Sequence, residues 1–132
     1  MKAIRNALDE YSEDYAIAEE KDLNRNKHDS ELEIMVIKKN IDTTISNLKS
    51  WMKDEKVDAS VPCFPSWNRV HCEPLGVVCV IGAWNYPIFT CFEPMVSAVA
   101  AGNCVLMKPS ESSPNSSAVI RKIIERLDQN YF

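Results

Sequence analysis

Two short apolar segments, separated by one segment of helix length, constrain the fold of this chain more than any other feature. The first reads Gly76-Val-Val-Cys-Val-Ile-Gly82, and the second runs from Asn103 to Met107. A segment that is apolar at every position between its glycines is typical of a parallel strand covered by helices on both faces. Between the two segments, the region from Pro87 to Ala101 has apolar residues at helical spacing, and Gly102 can take the left-handed position that ends a helix.

A further helix completes this pattern. Ser113 followed by Pro114 is a typical helix start, and apolar residues then recur at helical spacing up to Leu127. Strand, helix, strand and helix in this order form the unit of a parallel doubly wound sheet, whose strands are joined by right-handed crossovers. The sequence therefore predicts an α/β fold: N-terminal helices, then the first such unit of a Rossmann-like cofactor sheet, incomplete at the C-terminus.

The N-terminal region predicts amphipathic helices. Apolar residues at helical spacing between Met1 and Ala18 predict the first helix. Ser30 with Glu33 has the spacing of a capping box that would begin the second. A charged stretch between the helices interrupts the heptads that a coiled coil would need, so we interpret the apolar faces as packing surfaces.

The chain divides into three regions by composition. Residues 1–53 form the N-terminal helical segment. Three prolines make residues 54–75 an extended linker, with a possible short strand near residues 69–72. Residues 76–132 are predicted to form the first part of a nucleotide-binding domain. A chain of 132 residues, 45% of them apolar, can bury one core.

The charge of the chain argues against two classes of partner. The formal net charge is −4, from 15 basic and 19 acidic residues mixed along the sequence. No positive surface is expected that could bind nucleic acid or an anionic membrane. The first nine residues do not resemble a signal peptide, and no apolar run approaches the roughly 20 residues that span a bilayer. We therefore expect a soluble, cytoplasmic protein with no membrane contact in this segment.

The five cysteines are expected to be reduced thiols. Their number is odd and their spacing matches no metal-binding motif, so neither a disulfide framework nor a metal site is predicted. Cys79 and Cys104 lie inside the predicted strands, where a free cysteine usually packs as a small apolar residue. We expect these two side chains to be buried.

Two polar segments follow the predicted strands, at the edge where doubly wound sheets bind ligands. They are Gly82-Ala-Trp-Asn-Tyr-Pro87 and Lys108-Pro-Ser-Glu111. The chain has only three glycines and nowhere contains G-x-G-x-x-G, the usual dinucleotide-binding turn. If a dinucleotide binds here, its pyrophosphate is expected to be held by residues outside this chain.

The segments PLGVVCVIGAWNYP and AAGNCVLMKPSE, in this order and spacing, resemble the aldehyde dehydrogenase superfamily, in the class 3 branch that acts on fatty and aromatic aldehydes. The resemblance extends back through LKSWMKDEKV into the N-terminal helices and forward to the final LDQNYF. It implies oxidation of an aldehyde to a carboxylic acid, with NAD(P) as cofactor and a cysteine thiohemiacetal as intermediate. It also implies a homodimer for the complete enzyme.

The resemblance assigns a catalytic role to Asn85. This residue matches the asparagine whose side-chain amide forms part of the oxyanion hole, where a rigid neutral donor stabilises the oxygen of the thiohemiacetal. The alternative is that Asn85 caps the following helix. Tyr86 matches a wall of the aldehyde tunnel, and plain packing is the alternative.

The resemblance also assigns cofactor contacts. Lys108 and Glu111 match a pair that binds the hydroxyls of the adenosine ribose, one as donor and one as acceptor, whereas the alternative is an exposed ion pair. Ile81 and Trp84 match positions near the cofactor, or pack within the protein. Because a carboxylate near the ribose 2′-hydroxyl repels a 2′-phosphate, Glu111 favours NAD over NADP.

The family's nucleophilic cysteine, general-base glutamate and second cofactor loop match no part of residues 1–132 and are expected further along the sequence. None of the five cysteines matches the nucleophile. The resemblance therefore implies an N-terminal fragment that is inactive alone. Two other functions stay open: a non-catalytic fragment that associates with a full-length dehydrogenase, and a separate nucleotide-binding module.

Overall fold

The computed structural model describes residues 1–128, so the last four residues of the LDQNYF segment lie outside the described residues. The elements follow the chain as α1 (Lys2–Glu10), α2 (Ser12–Leu23), α3 (Lys27–Trp51), β1 (Glu55–Val57), a short 3-10 helix (Val61–Cys63), β2 (Asn68–Val70), β3 (Val77–Ile81), α4 (Pro87–Ala100), β4 (Cys104–Lys108) and α5 (Pro114–Asp128). Within the described residues, none of these helices combines the length and the apolar character needed to cross a membrane.

Strands β3 and β4 form a parallel pair joined by α4. Val77 aligns with Cys104 at one end of the pair, and Ile81 aligns with Lys108 at the other. The α/β class, with N-terminal helices followed by strand, helix, strand and helix, is confirmed. Gly102 has a φ of +84° just after α4, in the left-handed position that the sequence predicted.

The helices cover one face of the β3–β4 pair. Alternate residues of each strand face them, because side chains alternate between the faces of a sheet; these inward residues are Val78, Val80, Val105 and Met107. On the opposite face, Val77 and Ile81 are 73% and 72% exposed, and Leu106 is 63% exposed. The expectation that helices cover both faces is therefore not met within residues 1–128.

The expectation that Cys79 and Cys104 are buried was wrong. Both are exposed, because they lie on the uncovered face of the β3–β4 pair. The buried cysteine is Cys91, on the inner side of α4. An apolar strand sequence indicates that both faces of the strand suit burial. It does not show which of the two faces the helices of this chain cover.

The core lies among the helices. The N-terminal helices pack against α4 and α5, and the buried side chains include Leu8, Tyr15, Ile37, Ile41, Phe92 and Ile120. Burying a large apolar side chain contributes about 1.5–3 kcal/mol, so this shared core holds the first half of the chain firmly against the second.

The starts of the N-terminal helices differ from the prediction. The first predicted helix is interrupted at Tyr11, between α1 and α2. Helix α3 begins earlier than the proposed capping box, because the side chain of Asn26 accepts a hydrogen bond from Asp29 N–H at 3.0 Å. Ser30 and Glu33 are instead buried inside the helix. The capping-box interpretation was therefore wrong.

The linker contains a small hairpin. Strands β1 and β2 pair in antiparallel fashion, with Glu55 opposite Val70. The short strand predicted near residues 69–72 lies at Asn68–Val70, and its partner strand was not predicted. Asp54 ties the hairpin together by accepting from Arg69 at 2.9 Å.

Candidate functional site

The carboxyl ends of β3 and β4 lie side by side. Ile81 and Lys108 are register partners, and the N–H of Gly82 donates to the carbonyl of Lys108 at 2.9 Å. The two polar segments, residues 82–87 and 108–111, therefore meet at one edge of the sheet. This is the edge at which doubly wound folds bind ligands.

Gly82 allows the first segment to pass close to α4. A Cβ atom at this position would lie 2.3 Å from Sγ of Cys91, so a side chain here would have to displace the Cys91 side chain. Burial raises the pKa of the Cys91 thiol to about 11. Although Cys91 lies just behind the site, it is therefore a protonated packing residue and a poor nucleophile.

Thr90 fixes the shape of the loop that precedes α4. Its hydroxyl accepts from Ala83 N–H at 2.9 Å and donates to the carbonyl of Tyr86, also at 2.9 Å. One side chain thereby connects the two ends of the loop that presents Trp84 and Asn85. No motif in the sequence marks Thr90 for this role.

Asn85 is exposed at the tip of this loop. The N-cap of α4 is Tyr86, and the helix has no side-chain cap hydrogen bond, so Asn85 does not cap it. Within the described residues the side-chain amide of Asn85 has no hydrogen-bond partner, whereas its main-chain carbonyl accepts from Arg25 Nη2 at 2.7 Å. The backbone is thus held while the amide stays available to a ligand.

Lys108 and Glu111 form an ion pair at the end of β4. The hydrogen bond from Lys108 lowers the pKa of the Glu111 carboxyl. Ile81, Trp84 and Tyr86 are 72%, 56% and 47% exposed, so none of the three is a core residue in this chain.

The predicted site residues form two groups along the sheet edge. Trp84, Asn85 and Tyr86 lie in the loop after β3, and the Lys108–Glu111 pair follows β4 beside Ile81. In residues 1–128 no hydrogen bond or ion pair joins the two groups directly.

Arg25 contacts the site from the turn between α2 and α3, and this contact was not predicted from the sequence. It follows Asn24, which ends α2 in the left-handed conformation with a φ of 53°. Its Nη1 donates to Glu19 at 2.8 Å and also to Glu33. Its guanidinium carbon lies 4.4 Å from the centre of the Tyr86 ring, a cation–π contact.

Two further polar residues complete this cluster. The hydroxyl of Tyr15 donates to Glu33 at 3.3 Å, and the hydroxyl of Ser30 donates to Glu19 at 2.6 Å. Burial and the neighbouring Glu19 carboxylate raise the pKa of Glu33 to about 8. Burial, followed by the Glu33 charge, also raises the pKa of Tyr15. We call Tyr15, Glu19, Arg25, Ser30 and Glu33 the Arg25 cluster.

The sequence did contain a signal for this cluster. Glu19 and Glu33 lie on the apolar stripes of α2 and α3, where a carboxylate is costly to bury unless a cation or hydrogen bonds compensate it. The turn between these helices supplies that cation.

Comparison with known proteins identifies the family. A model of the aldehyde dehydrogenase family matches residues 1–130. This chain belongs to the aldehyde dehydrogenase family. Several members of aldehyde dehydrogenase family 3 are 36–40% identical to it, which confirms the class 3 resemblance.

Individual relatives show how much of an aldehyde dehydrogenase the chain represents. Family 3 member H1 of Arabidopsis thaliana is 36% identical over 127 residues, which cover 96% of this chain and 26% of that protein. The dimeric, NADP-preferring aldehyde dehydrogenase of Canis lupus familiaris is 37% identical over 134 residues, which cover 100% of this chain and 30% of that protein. The substrate-bound structure of Staphylococcus aureus AldH superposes with a TM-score of 0.89 at 36% identity. The superposition covers 94% of this chain and 27% of that protein. The chain thus spans less than a third of the length of the curated relatives it matches.

Proposed function

We propose that this chain is the N-terminal part of an NAD(P)-dependent aldehyde dehydrogenase that oxidises fatty or aromatic aldehydes to carboxylic acids. The observation that carries the proposal is the amide of Asn85, which is exposed and has no partner within residues 1–128, on a loop whose backbone is held by Arg25 and Thr90. A rigid neutral donor at the carboxyl edge of a parallel sheet suits stabilisation of an oxyanion.

The proposed chemistry divides between this segment and the rest of the enzyme. A cysteine outside residues 1–132 attacks the aldehyde carbonyl, and the oxygen of the resulting thiohemiacetal takes a hydrogen bond from the Asn85 amide. Loss of a hydride from the former carbonyl carbon, to the oxidised nicotinamide cofactor that the complete enzyme would bind, would leave a thioester, and hydrolysis of this thioester by water would release the acid. The Tyr86 ring, exposed beside Asn85, lines the path of the aldehyde.

The residues at the end of β4 fit a dinucleotide. NAD(P) supplies the hydride acceptor when it is bound. The Lys108 ammonium and the Glu111 carboxylate, which are adjacent and exposed, offer one donor and one acceptor to the ribose hydroxyls. Ile81 and Trp84 offer exposed apolar surface beside them. The Glu111 charge favours NAD over NADP, in contrast to the NADP preference of the canine relative.

We further propose the organisation of the complete protein. Residues 76–132 begin the nucleotide-binding domain, residues 54–75 form the linker, and residues 1–53 pack against the first helices of that domain. The complete enzyme is a homodimer. The five free cysteines of residues 1–132, four of them exposed, fit the reducing environment of the cytoplasm.

The test compares the isolated chain with a complete enzyme that carries it. The complete enzyme is expected to form NADH when it is given NAD⁺ with a fatty or an aromatic aldehyde. The isolated chain is expected to form none above buffer, because none of its five cysteines matches the family's nucleophile and Cys91, which lies behind the loop, is buried. Failure of the complete enzyme with every aldehyde, or NADH formation in proportion to the isolated chain, would contradict the proposal.

A further inference from the structure

Arg25 connects the buried carboxyl groups of two glutamates to the loop that carries Asn85. The side chains of Glu19 and Glu33, to which its Nη1 donates, are 0% and 6% exposed. Its Nη2 donates to the main-chain carbonyl of Asn85 at 2.7 Å. One guanidinium therefore links the turn after α2 to the loop after β3, across 60 residues of sequence.

The guanidinium is held in one orientation from several sides. Ser30 donates to Glu19 and Tyr15 donates to Glu33, so the two carboxylates that hold the guanidinium are themselves fixed. The guanidinium also lies over the ring of Tyr86, 4.4 Å from its centre. A planar fork that pairs with carboxylates and stacks on an aromatic ring is specific to arginine.

The backbone on both sides of the Asn85 side chain is thereby restrained. Thr90 binds the loop at Ala83 and Tyr86 from α4, and Arg25 binds the carbonyl of Asn85 from the opposite side. A catalytic amide must be held within about 0.5 Å of its productive position, and such precision requires supporting contacts. An arginine that served only to bind two buried carboxyl groups would not need its second nitrogen on this carbonyl.

We infer that Arg25 is a positioning residue: by binding the Asn85 carbonyl and the Tyr86 ring, with Glu19 and Glu33 as its support, it aims the Asn85 amide at the reacting oxygen. This inference rests on the proposed oxyanion role of Asn85. The guanidinium is taken up by Glu19, Glu33, the Asn85 carbonyl and the Tyr86 ring, so its effect is expected on kcat and is transmitted through Asn85.

The first test is Arg25→Lys in the complete enzyme. Lysine keeps the positive charge for the carboxylates, but its single ammonium cannot also bind the Asn85 carbonyl and stack on Tyr86. We expect kcat to fall about ten- to a hundredfold, because a small misplacement of a catalytic group lowers the rate by such factors. The KM for the aldehyde and the Tm should be nearly unchanged. Arg25→Met also removes the charge, and we expect it to lower the Tm as well.

Arg5→Lys is the matched control. Arg5 pairs with Asp42 at 3.1 Å on the surface between α1 and α3, away from the loop. This variant is expected to leave kcat, KM and Tm unchanged. A loss of kcat in Arg5→Lys as large as that in Arg25→Lys would overturn the inference, because it would show a general effect of arginine replacement.

A double-mutant cycle separates this inference from the proposed function. If Arg25 acts through Asn85, adding Arg25→Lys to Asn85→Ala should change kcat less than about twofold. Fully additive losses, or an unchanged kcat in Arg25→Lys alone, would overturn the positioning role while the role of Asn85 stands. An unchanged kcat in Asn85→Ala would overturn the proposed function, and the positioning role with it.

Discussion

The hydroxyl of Tyr15 accepts a hydrogen bond at 3.2 Å from the main-chain N–H of Ile88, in the first turn of α4. The first N–H groups of a helix have no partner within the helix, and at this buried position water cannot replace one. Because Tyr15 also donates to Glu33, a single phenol joins the N-terminal helices to the helix that follows the Asn85 loop. The loop is thus supported by residues far away in the sequence.

Tyr15→Phe is therefore expected to destabilise the protein. The change keeps the buried ring but leaves the N–H of Ile88 and one oxygen of Glu33 without their partner, at a cost of about 1–3 kcal/mol. Urea unfolding of the complete enzyme measures this loss. Tyr11→Phe is the control: Tyr11 packs against the same core, and no partner for its hydroxyl lies within residues 1–128. Equal effects of the two changes would contradict the role given to the Tyr15 hydroxyl.

Glu33 predicts that stability decreases as the pH rises. Its pKa is raised from the ordinary value of 4.5 to about 8, by burial and by Glu19, so the folded state retains a proton that the unfolded state has released. The contribution of Glu33 to the free energy of unfolding is fully present below about pH 4.5 and is lost as the pH rises through 8. Glu33→Gln, which mimics the protonated acid, should flatten this slope. A slope that Glu33→Gln leaves unchanged would show that other groups cause it.

The strands and the two loops could be predicted from the sequence because their signals are local. The continuous apolar segments predict strands. Pro87 marks the start of α4, and Pro109 follows the last residue of β4. Parallel topology alone then brings Ile81 and Lys108 to the same edge. That part of the candidate site required no knowledge of tertiary contacts.

The Arg25 cluster could not be predicted in the same way. Its members come from separate helices, and Arg25 lies in a polar turn that reads as an ordinary exposed connection. Ser30 and Glu33 have the spacing of a capping box, which is a local motif. The helix is instead capped by Asn26, and the side chains of Ser30 and Glu33 bind partners in the interior. The positions of Ser30 and Glu33 are therefore set by their contacts with Glu19 and Arg25 and not by the local capping motif.

The uncovered face of the β3–β4 pair predicts that the isolated chain self-associates. Val77, Ile81 and Leu106 are exposed on it, and a flat apolar strand pair with open edges promotes association. We expect the chain of residues 1–132 to bind a hydrophobic dye and to sediment as oligomers, and Leu106→Lys to reduce both. Leu32→Lys, on an exposed position of α3, is the control. A monodisperse monomer with cooperative unfolding and no dye binding would contradict this prediction.

Glu111 predicts the cofactor preference. Glu111→Gln removes the charge that repels a 2′-phosphate but keeps an acceptor for the ribose. The ratio of kcat/KM with NADP⁺ to that with NAD⁺ should therefore rise about five- to tenfold, because the repulsion between two exposed charges is weakened by water. Glu125→Gln, in the exposed Arg121–Glu125 pair on α5, is the matched control. An unchanged ratio would place Glu111 away from the ribose.

The most direct measurement is the kcat of Asn85→Ala in a complete enzyme, with the cofactor Kd determined alongside. The substitution removes the exposed amide and leaves the main-chain carbonyl that Arg25 binds. If the amide stabilises the oxyanion, kcat for aldehyde oxidation should fall about a hundred- to a thousandfold, while the cofactor Kd stays nearly constant. An unchanged kcat, under conditions in which the chemical step limits the rate, would contradict the catalytic role of Asn85.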